Sequence, residues 1–134
     1  MMEKETLLER VSEVLTAYSE IQLGIIFGSA ASGTMRDDSD VDIAVLAQEP
    51  MSLSLRLELI AELSLAVGRE VDVVDLYSAQ GTILQQVLTK GVVALERTKL
   101  GRAALMKRML FDQSDMEPYR RRMIEARLQR GFNG

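Results

Sequence analysis

Leu7, Leu8, Val11, Val14, Leu15 and Tyr18 recur at the three- and four-residue spacing of one helix face, which predicts an amphipathic helix over 4–19. The pattern then changes. Ile21 to Phe27 is a short, nearly continuous apolar run and reads as a buried strand. Ser29 to Met35 is a run of mostly small residues, expected to be flexible and enough for one helical turn. Val41 to Leu46 is a second apolar run, and Pro50 ends that unit. Ser52 is a plausible N-cap for a helix over 53–67, with Gly68 as its C′ residue. Leu53, Leu55, Leu57 and Leu59 alternate as a strand would, but the length of the segment and the later Ile60, Leu63 and Val67 favour helix. Val71 to Leu76 is a third, valine-rich strand. Ser78 is expected to cap a short helix that ends near Lys90 and is closed by Gly91, before a fourth strand over Val92 to Leu95. From Arg97 the pattern is helical. Ser114-Asp115-Met116-Glu117 forms a capping box with Pro118 in the first turn, and Met116, Tyr119, Met123 and Ile124 supply an apolar face. The last four residues, Gly131 to Gly134, are expected to fray.

These elements give an α/β fold with a mixed sheet flanked by helices. We divide the chain into a core over 1–96 and a helical C-terminal extension over 97–134, within a single domain. A chain of 134 residues is long enough for a real core. Composition narrows the chemistry. There is no cysteine and no histidine, which excludes disulfides, thiolate or imidazole metal sites and His-based triads. Acid–base work is left to carboxylates, Lys, Tyr or water. No apolar stretch approaches the ~20 residues of a membrane span, and the N-terminus lacks a signal-peptide apolar region, so a cytoplasmic protein is expected. The net charge of −4 conceals an asymmetry. Residues 1–96 carry 6 Lys/Arg against 16 Asp/Glu, whereas residues 97–134 carry 10 against 4. An acidic body and a basic tail imply separate jobs.

The candidate chemistry lies between the first two strands. Gly28-Ser29 follows the first, and ten residues later Asp40-Val41-Asp42 opens the second. A tight Gly-Ser turn after a strand can present backbone N–H groups and a hydroxyl to phosphate oxygens. Two carboxylates at i and i+2 share one strand face. Taken separately, each feature is commonplace: Gly-Ser turns often follow strands, and alternating charges often mark a solvated face. Here the second strand is otherwise apolar, so the pair reads as buried, and buried unpaired carboxylates are costly unless a cation neutralises them. Mg²⁺ takes such hard oxygen ligands and keeps substrate phosphates in its shell. Phosphoryl or nucleotidyl transfer from a nucleoside triphosphate follows as the expected chemistry. A third carboxylate should come from the neighbouring strand. Asp72 and Asp75 have opposite parity, so only one can face the site. Asp72 is favoured because it interrupts the valine run, while Asp75 could cap the following turn.

The motif Gly28-Ser29-x10-Asp40-x-Asp42, followed by the strand at 71–76, resembles the nucleotidyltransferase superfamily of DNA polymerase β, and in its short form the minimal nucleotidyltransferases, across roughly residues 4–96. The resemblance implies two Mg²⁺ and ATP as co-substrate. It would make Gly28 and Ser29 the β/γ-phosphate grip, Asp40 and Asp42 the ligands of both metals, and Asp72 a ligand of the catalytic metal that helps deprotonate the acceptor. Many minimal nucleotidyltransferases are antitoxins paired with HEPN-domain RNase toxins, and some resemble AMP transferases acting on a toxin tyrosine. The whole chain looks like such an antitoxin, which implies a HEPN toxin as partner in a hetero-oligomer.

Other polar residues are more ambiguous. Arg36 could reach a phosphate or stay solvated. Ser39 could touch the nucleotide or simply hold its own loop. Asp37 and Asp38 read as a solvated turn. Arg120-Arg121-Arg122, with Arg127 and Arg130, is either a helix's polar surface or a docking strip. Rival functions are small-molecule nucleotidyl transfer, for which the chain is short of a pocket-building domain, and an inactive toxin-binding module, against which the full carboxylate set argues. Nucleic-acid extension is disfavoured by having only three Phe and three Tyr for base stacking.

Overall fold

Every apolar run of the core becomes a regular element in the computed structural model, which describes residues 3–32 and 40–112. The order is α1 (Lys4–Thr16), β1 (Ile21–Phe27), α2 (Ser29–Ser32), β2 (Val41–Ala47), α3 (Leu53–Val67), β3 (Val71–Asp75), α4 (Gly81–Lys90), β4 (Val92–Glu96) and α5 (Lys99–Asp112). The four strands form one sheet in the order β3-β2-β1-β4. β1 runs antiparallel to both β2 and β4, while β2 and β3 are parallel and joined through α3. The sheet is therefore mixed and flanked by helices, as the sequence predicts.

Strand parity distributes the core over two faces. Ile26, Val41, Ile43, Val45, Val71 and Val73 pack with Leu7, Val11 and Leu15 of α1 and Leu59, Leu63 and Val67 of α3. Leu23, Ile25, Phe27, Ala44 and Leu46 point the other way, with Leu84 and Val87 of α4 and Leu105 of α5. β1 and β2 are buried almost throughout, because the central strands are covered on both sides.

Local chemistry explains the element ends, including three departures from the sequence-based expectation. α1 stops at Thr16 rather than at 19. The N–H groups of Ala17 and Tyr18 turn back to the carbonyls of Val14 and Leu15, a tightened last turn that leaves Tyr18 outside the helix but still packed on the core. Ser78 is not a cap. α4 starts three residues later, behind an extended Gln80 that makes no side-chain capping bond. The 76–79 segment is held instead by Arg108 of α5, whose Nη1 donates to the carbonyls of Leu76 (2.8 Å) and Ala79 (3.1 Å). β3 stops at Asp75, although the N–H of Leu76 still donates to Val45. By contrast, α3 has the expected ends. The Ser52 hydroxyl accepts from Leu55 N at 3.1 Å, and Gly68 closes the helix in the left-handed conformation at φ 71°.

Arg97 joins the C-terminal elements to the α1–β1 corner. Its Nε donates to the Ile21 carbonyl (2.8 Å) and its Nη2 to that of Thr16 (2.9 Å). The helix expected from Ser114 and the frayed terminus lie outside the described residues. Among the described residues, no helix is long and apolar enough to cross a membrane.

Candidate active site

One end of the sheet gathers the motif. β1 finishes at Phe27, which pairs with Asp42 near the start of β2, and Asp42 in turn pairs with Asp72 near the start of β3. Paired residues on adjacent strands point to the same face, with strands about 4.8 Å apart in the hydrogen-bonding direction. Asp42 and Asp72 therefore project together, on the sheet face that carries Phe27 and Ala44. Asp40 precedes β2 and is exposed.

Gly28 stands directly after Phe27 at φ 74°, a left-handed conformation that glycine adopts without strain. Its position has a second consequence. A Cβ on Gly28 would lie 2.7 Å from Oδ2 of Asp42. The backbone turn and the carboxylate are thus in contact, and glycine is what lets them approach. Gly28 also accepts a hydrogen bond from the Ala31 N–H at 3.2 Å as the chain enters α2, with Ser29 as its first residue. We expect Gly28→Ala to displace the Asp42 side chain and to cost about 1 kcal/mol of stability from backbone strain. The nucleotidyl transfer that the motif implies should fall by about a hundredfold, the scale expected when a reacting group is misplaced by about 1 Å. Circular dichroism melting and a labelled-ATP transfer assay check both parts.

The electrostatics single out Asp42. It is half-buried, and its pKa is raised, first by burial, then by the charge of Asp72, then by that of Asp40. The sequence reading of a buried carboxylate pair needs correction here. Only Asp42 is withdrawn from solvent: Asp40 sits ahead of the strand, where no described element covers it, and Asp72 is exposed on the edge strand β3.

Asp75 takes the opposite face, as parity requires. Its Oδ2 accepts from Met51 N (2.9 Å) and its Oδ1 from Tyr77 N (3.0 Å), so both oxygens are used in holding neighbouring loops. Asp72 has a looser companion. Arg56 Nη2 lies 3.9 Å from its Oδ1, an ion pair between two exposed side chains. Sequence reasoning passed over Arg56, although it is the sole basic residue in an otherwise leucine-rich helix and that singularity was visible.

Asp40, Asp42 and Asp72 are coupled by charge without converging on one point. Among the described residues no three acidic side chains form a ready-made cation cage. Their chemistry nevertheless fits a divalent cation of the Mg²⁺ kind. All the donors are hard oxygens, only the loose Arg56 pair at 3.9 Å meets their charge among the described residues, and burial disfavours the Asp42 anion until a cation offsets it. Arg36 and Ser39, with Asp37 and Asp38, lie outside the described residues, as do the arginines at 120–122, 127 and 130. A separate cleft of about 360 Å³, lined by Glu20, Gln48, Glu49 and Pro50, opens at the far end of β2, about 17 Å of strand away from Asp42.

Residues 9–100 match the family described as polymerase beta, nucleotidyltransferase. Over 72 residues the chain is 44% identical to the protein adenylyltransferase MntA of Shewanella oneidensis, a stretch covering 54% of this chain and 52% of that relative. The match thus spans about half of the relative's length. A crystal structure of a toxin–antitoxin with AMP-PNP contains a chain that aligns with a TM-score of 0.70 at 28% identity, over 93% of this chain and 98% of that one. A structure of the tri-AMPylated Shewanella oneidensis HEPN toxin in complex with its MNT antitoxin aligns with a TM-score of 0.67 at 25% identity, over 97% and 99%.

Proposed function

We propose that this chain, which belongs to the polymerase β nucleotidyltransferase family, is an antitoxin that transfers AMP from ATP to a tyrosine of a HEPN-domain RNase toxin. The single observation that carries the chemistry is the row Phe27–Asp42–Asp72 across three strands, with Gly28 packed against the Asp42 carboxylate. The adenylyltransferase relative and the toxin–antitoxin structures support the donor, the acceptor class and the partner.

In this reading the tyrosine oxygen forms a bond to the α-phosphorus, the α–β bridging bond breaks, and pyrophosphate leaves. Gly28 and Ser29 form the turn that receives the β/γ-phosphates. Asp40, Asp42 and Asp72 would hold two Mg²⁺, which would supply positive charge to the attacking and leaving oxygens. Asp72, exposed and aligned with Asp42, takes the acceptor proton. Arg36 and Ser39 belong to the nucleotide-binding set by their place in the motif. Residues 1–96 are the catalytic core and 97–134 its extension within one domain; the burial of Leu105 against α4 and β1 supports the single domain. A cytoplasmic location suits a co-substrate that is ATP and a partner that cuts RNA.

The test uses the full chain, its HEPN partner, Mg²⁺ and ATP labelled at the α-phosphate. Label should appear on the toxin and vanish when the acceptor tyrosine is changed to Phe. Label from the γ-phosphate should not transfer. α-label found only on a small molecule, or γ-label found on the toxin, overturns the proposal.

A further inference from the structure

Arg56 is the one basic side chain of α3, and its own helix offers it no acid to pair with. Ser52, Leu53, Leu59 and Ile60 occupy the positions three and four residues away. Its charge goes instead to Asp72, around the free edge of the sheet. α3 packs on the face of Ile43 and Val73, whereas Asp72 projects with Asp42 on the opposite face, and β3 is an edge strand. The guanidinium reaches round that edge to stand 3.9 Å from Asp72 Oδ1. At that distance the contact is a charge pair without a hydrogen bond. Arg97 and Arg108 differ, since their guanidiniums are fixed to backbone carbonyls at 2.8 Å. The Arg56 and Asp72 side chains are 43% and 62% exposed, so the pair is weakly held and exchangeable.

We propose that Arg56 and the divalent cation compete for the Asp72 carboxylate, so that the site takes up its cation by breaking this pair. The inference rests on the reading of Asp40, Asp42 and Asp72 as the cation ligands. Two observations select competition over a supporting role for Arg56. The first is direction. Asp42 and Asp72 stand opposite one another on neighbouring strands. Arg56 approaches Asp72 from the outer side of β3, away from Asp42. A cation shared by the two carboxylates needs the Asp72 oxygens on the inner side.

The second is the shape of the acidic group. Asp72 and Asp40 are near enough to raise the Asp42 pKa, yet among the described residues no three acidic side chains close into a cage. A group that supports a metal ligand holds it where the cage closes. Arg56 holds Asp72 where it stays open. The physical reason is charge. Asp42 and Asp72 repel each other, and an arginine at the sheet edge relieves that repulsion from outside. A divalent cation between them relieves it from inside, with two charges in place of one. The consequence is a weaker uptake of the bare ion than the three carboxylates alone would give.

The test is Mn²⁺ binding to the full chain without nucleotide, read from the electron paramagnetic resonance signal of the free ion. Mn²⁺ takes the same hard oxygen donors as Mg²⁺. The salt is held at about 0.15 M, where exposed charges more than about 8 Å apart are largely screened. Arg56→Gln should bind Mn²⁺ about threefold more tightly than the parent chain, the scale of an exposed ion pair. Lys90→Gln is the control for net charge. Lys90 lies two residues before Val92, which pairs with Ile26, so it stands at the same end of the sheet but on the side away from β3. Its removal should leave the affinity unchanged. Asp42→Asn should weaken binding strongly and so tie it to this site. Unchanged or weaker binding by Arg56→Gln, with Asp42→Asn still defective, overturns the competition and leaves the ligand reading standing. An equal gain in Lys90→Gln also overturns it, because net charge would then account for the effect. Binding that Asp42→Asn does not weaken overturns the ligand reading and the competition together.

Discussion

Asp42→Asn is expected to lower AMP transfer by about a thousandfold while leaving the fold intact or more stable in metal-free buffer. The loss follows from removing the half-buried donor at the centre of the three-strand row. Charge stabilisation by a metal clamp contributes several kcal/mol to such a transition state, and each 1.36 kcal/mol is a factor of ten. The stability change has the opposite sign because of the raised Asp42 pKa, whose causes are burial, Asp72 and Asp40. Between the ordinary value of 3.8 and the raised one, the folded protein binds more protons than the unfolded chain. Stability from this group therefore falls as pH rises through that window. The asparagine variant escapes the penalty. Its Tm at pH 7 without metal should equal or exceed that of the parent, and the difference should disappear below the ordinary carboxylate range, where Asp42 carries its proton in both states. Adding Mg²⁺ should raise the parent's Tm and leave that of the variant nearly unchanged. Undiminished transfer by Asp42→Asn in the presence of Mg²⁺ would sink the assignment of this carboxylate.

Asp72→Asn and Asp75→Asn should separate chemistry from structure. Asp72 shares the face of Asp42, is exposed, and has only the loose Arg56 pair at 3.9 Å. An exposed pair of that kind contributes less than about 1 kcal/mol, so stability should barely change. Transfer should fall by about a hundredfold or more, since the acceptor loses its base and the cation a ligand. Asp75 lies on the other face, with each oxygen holding a backbone N–H. An asparagine there keeps one acceptor and leaves one N–H without its partner, which costs about 1–3 kcal/mol in urea unfolding. Transfer per folded molecule should be nearly normal. Finding the larger transfer loss in Asp75→Asn would mean that the reacting groups sit on the α1/α3 side of the sheet.

Much of this molecule is legible along the chain because its signals are local. The alternation of Val71 to Asp75 and the period of α1 depend on residues a few positions apart, and so do the Ser52 cap and the Gly68 terminator. Spacing alone also proposed Gly28, Asp40 and Asp42 as one site, and parity alone ruled that Asp72 and Asp75 could not both join it. Parity could not choose between them. The sequence favoured Asp72 because it interrupts the valine run; the β2–β3 register sets Asp72 opposite Asp42, while Asp75 accepts from Met51 and Tyr77. The alternating leucines of α3 were equally ambiguous. Leu59 and Leu63 are buried while Leu57 and Leu65 are not, because α1 and the sheet meet only one side of that helix. Ser78 had the chemistry of a cap, but Arg108, far along the chain, fixes the preceding carbonyls and α4 begins later. The burial of Asp42 and the exposure of Asp40 and Asp72 depend likewise on which strand is central and which is at the edge. Propensity and period are properties of neighbours in sequence. Strand order, the covered side of a helix and the field at a carboxylate are set by groups brought together from distant parts of the chain, and only the folded arrangement determines them.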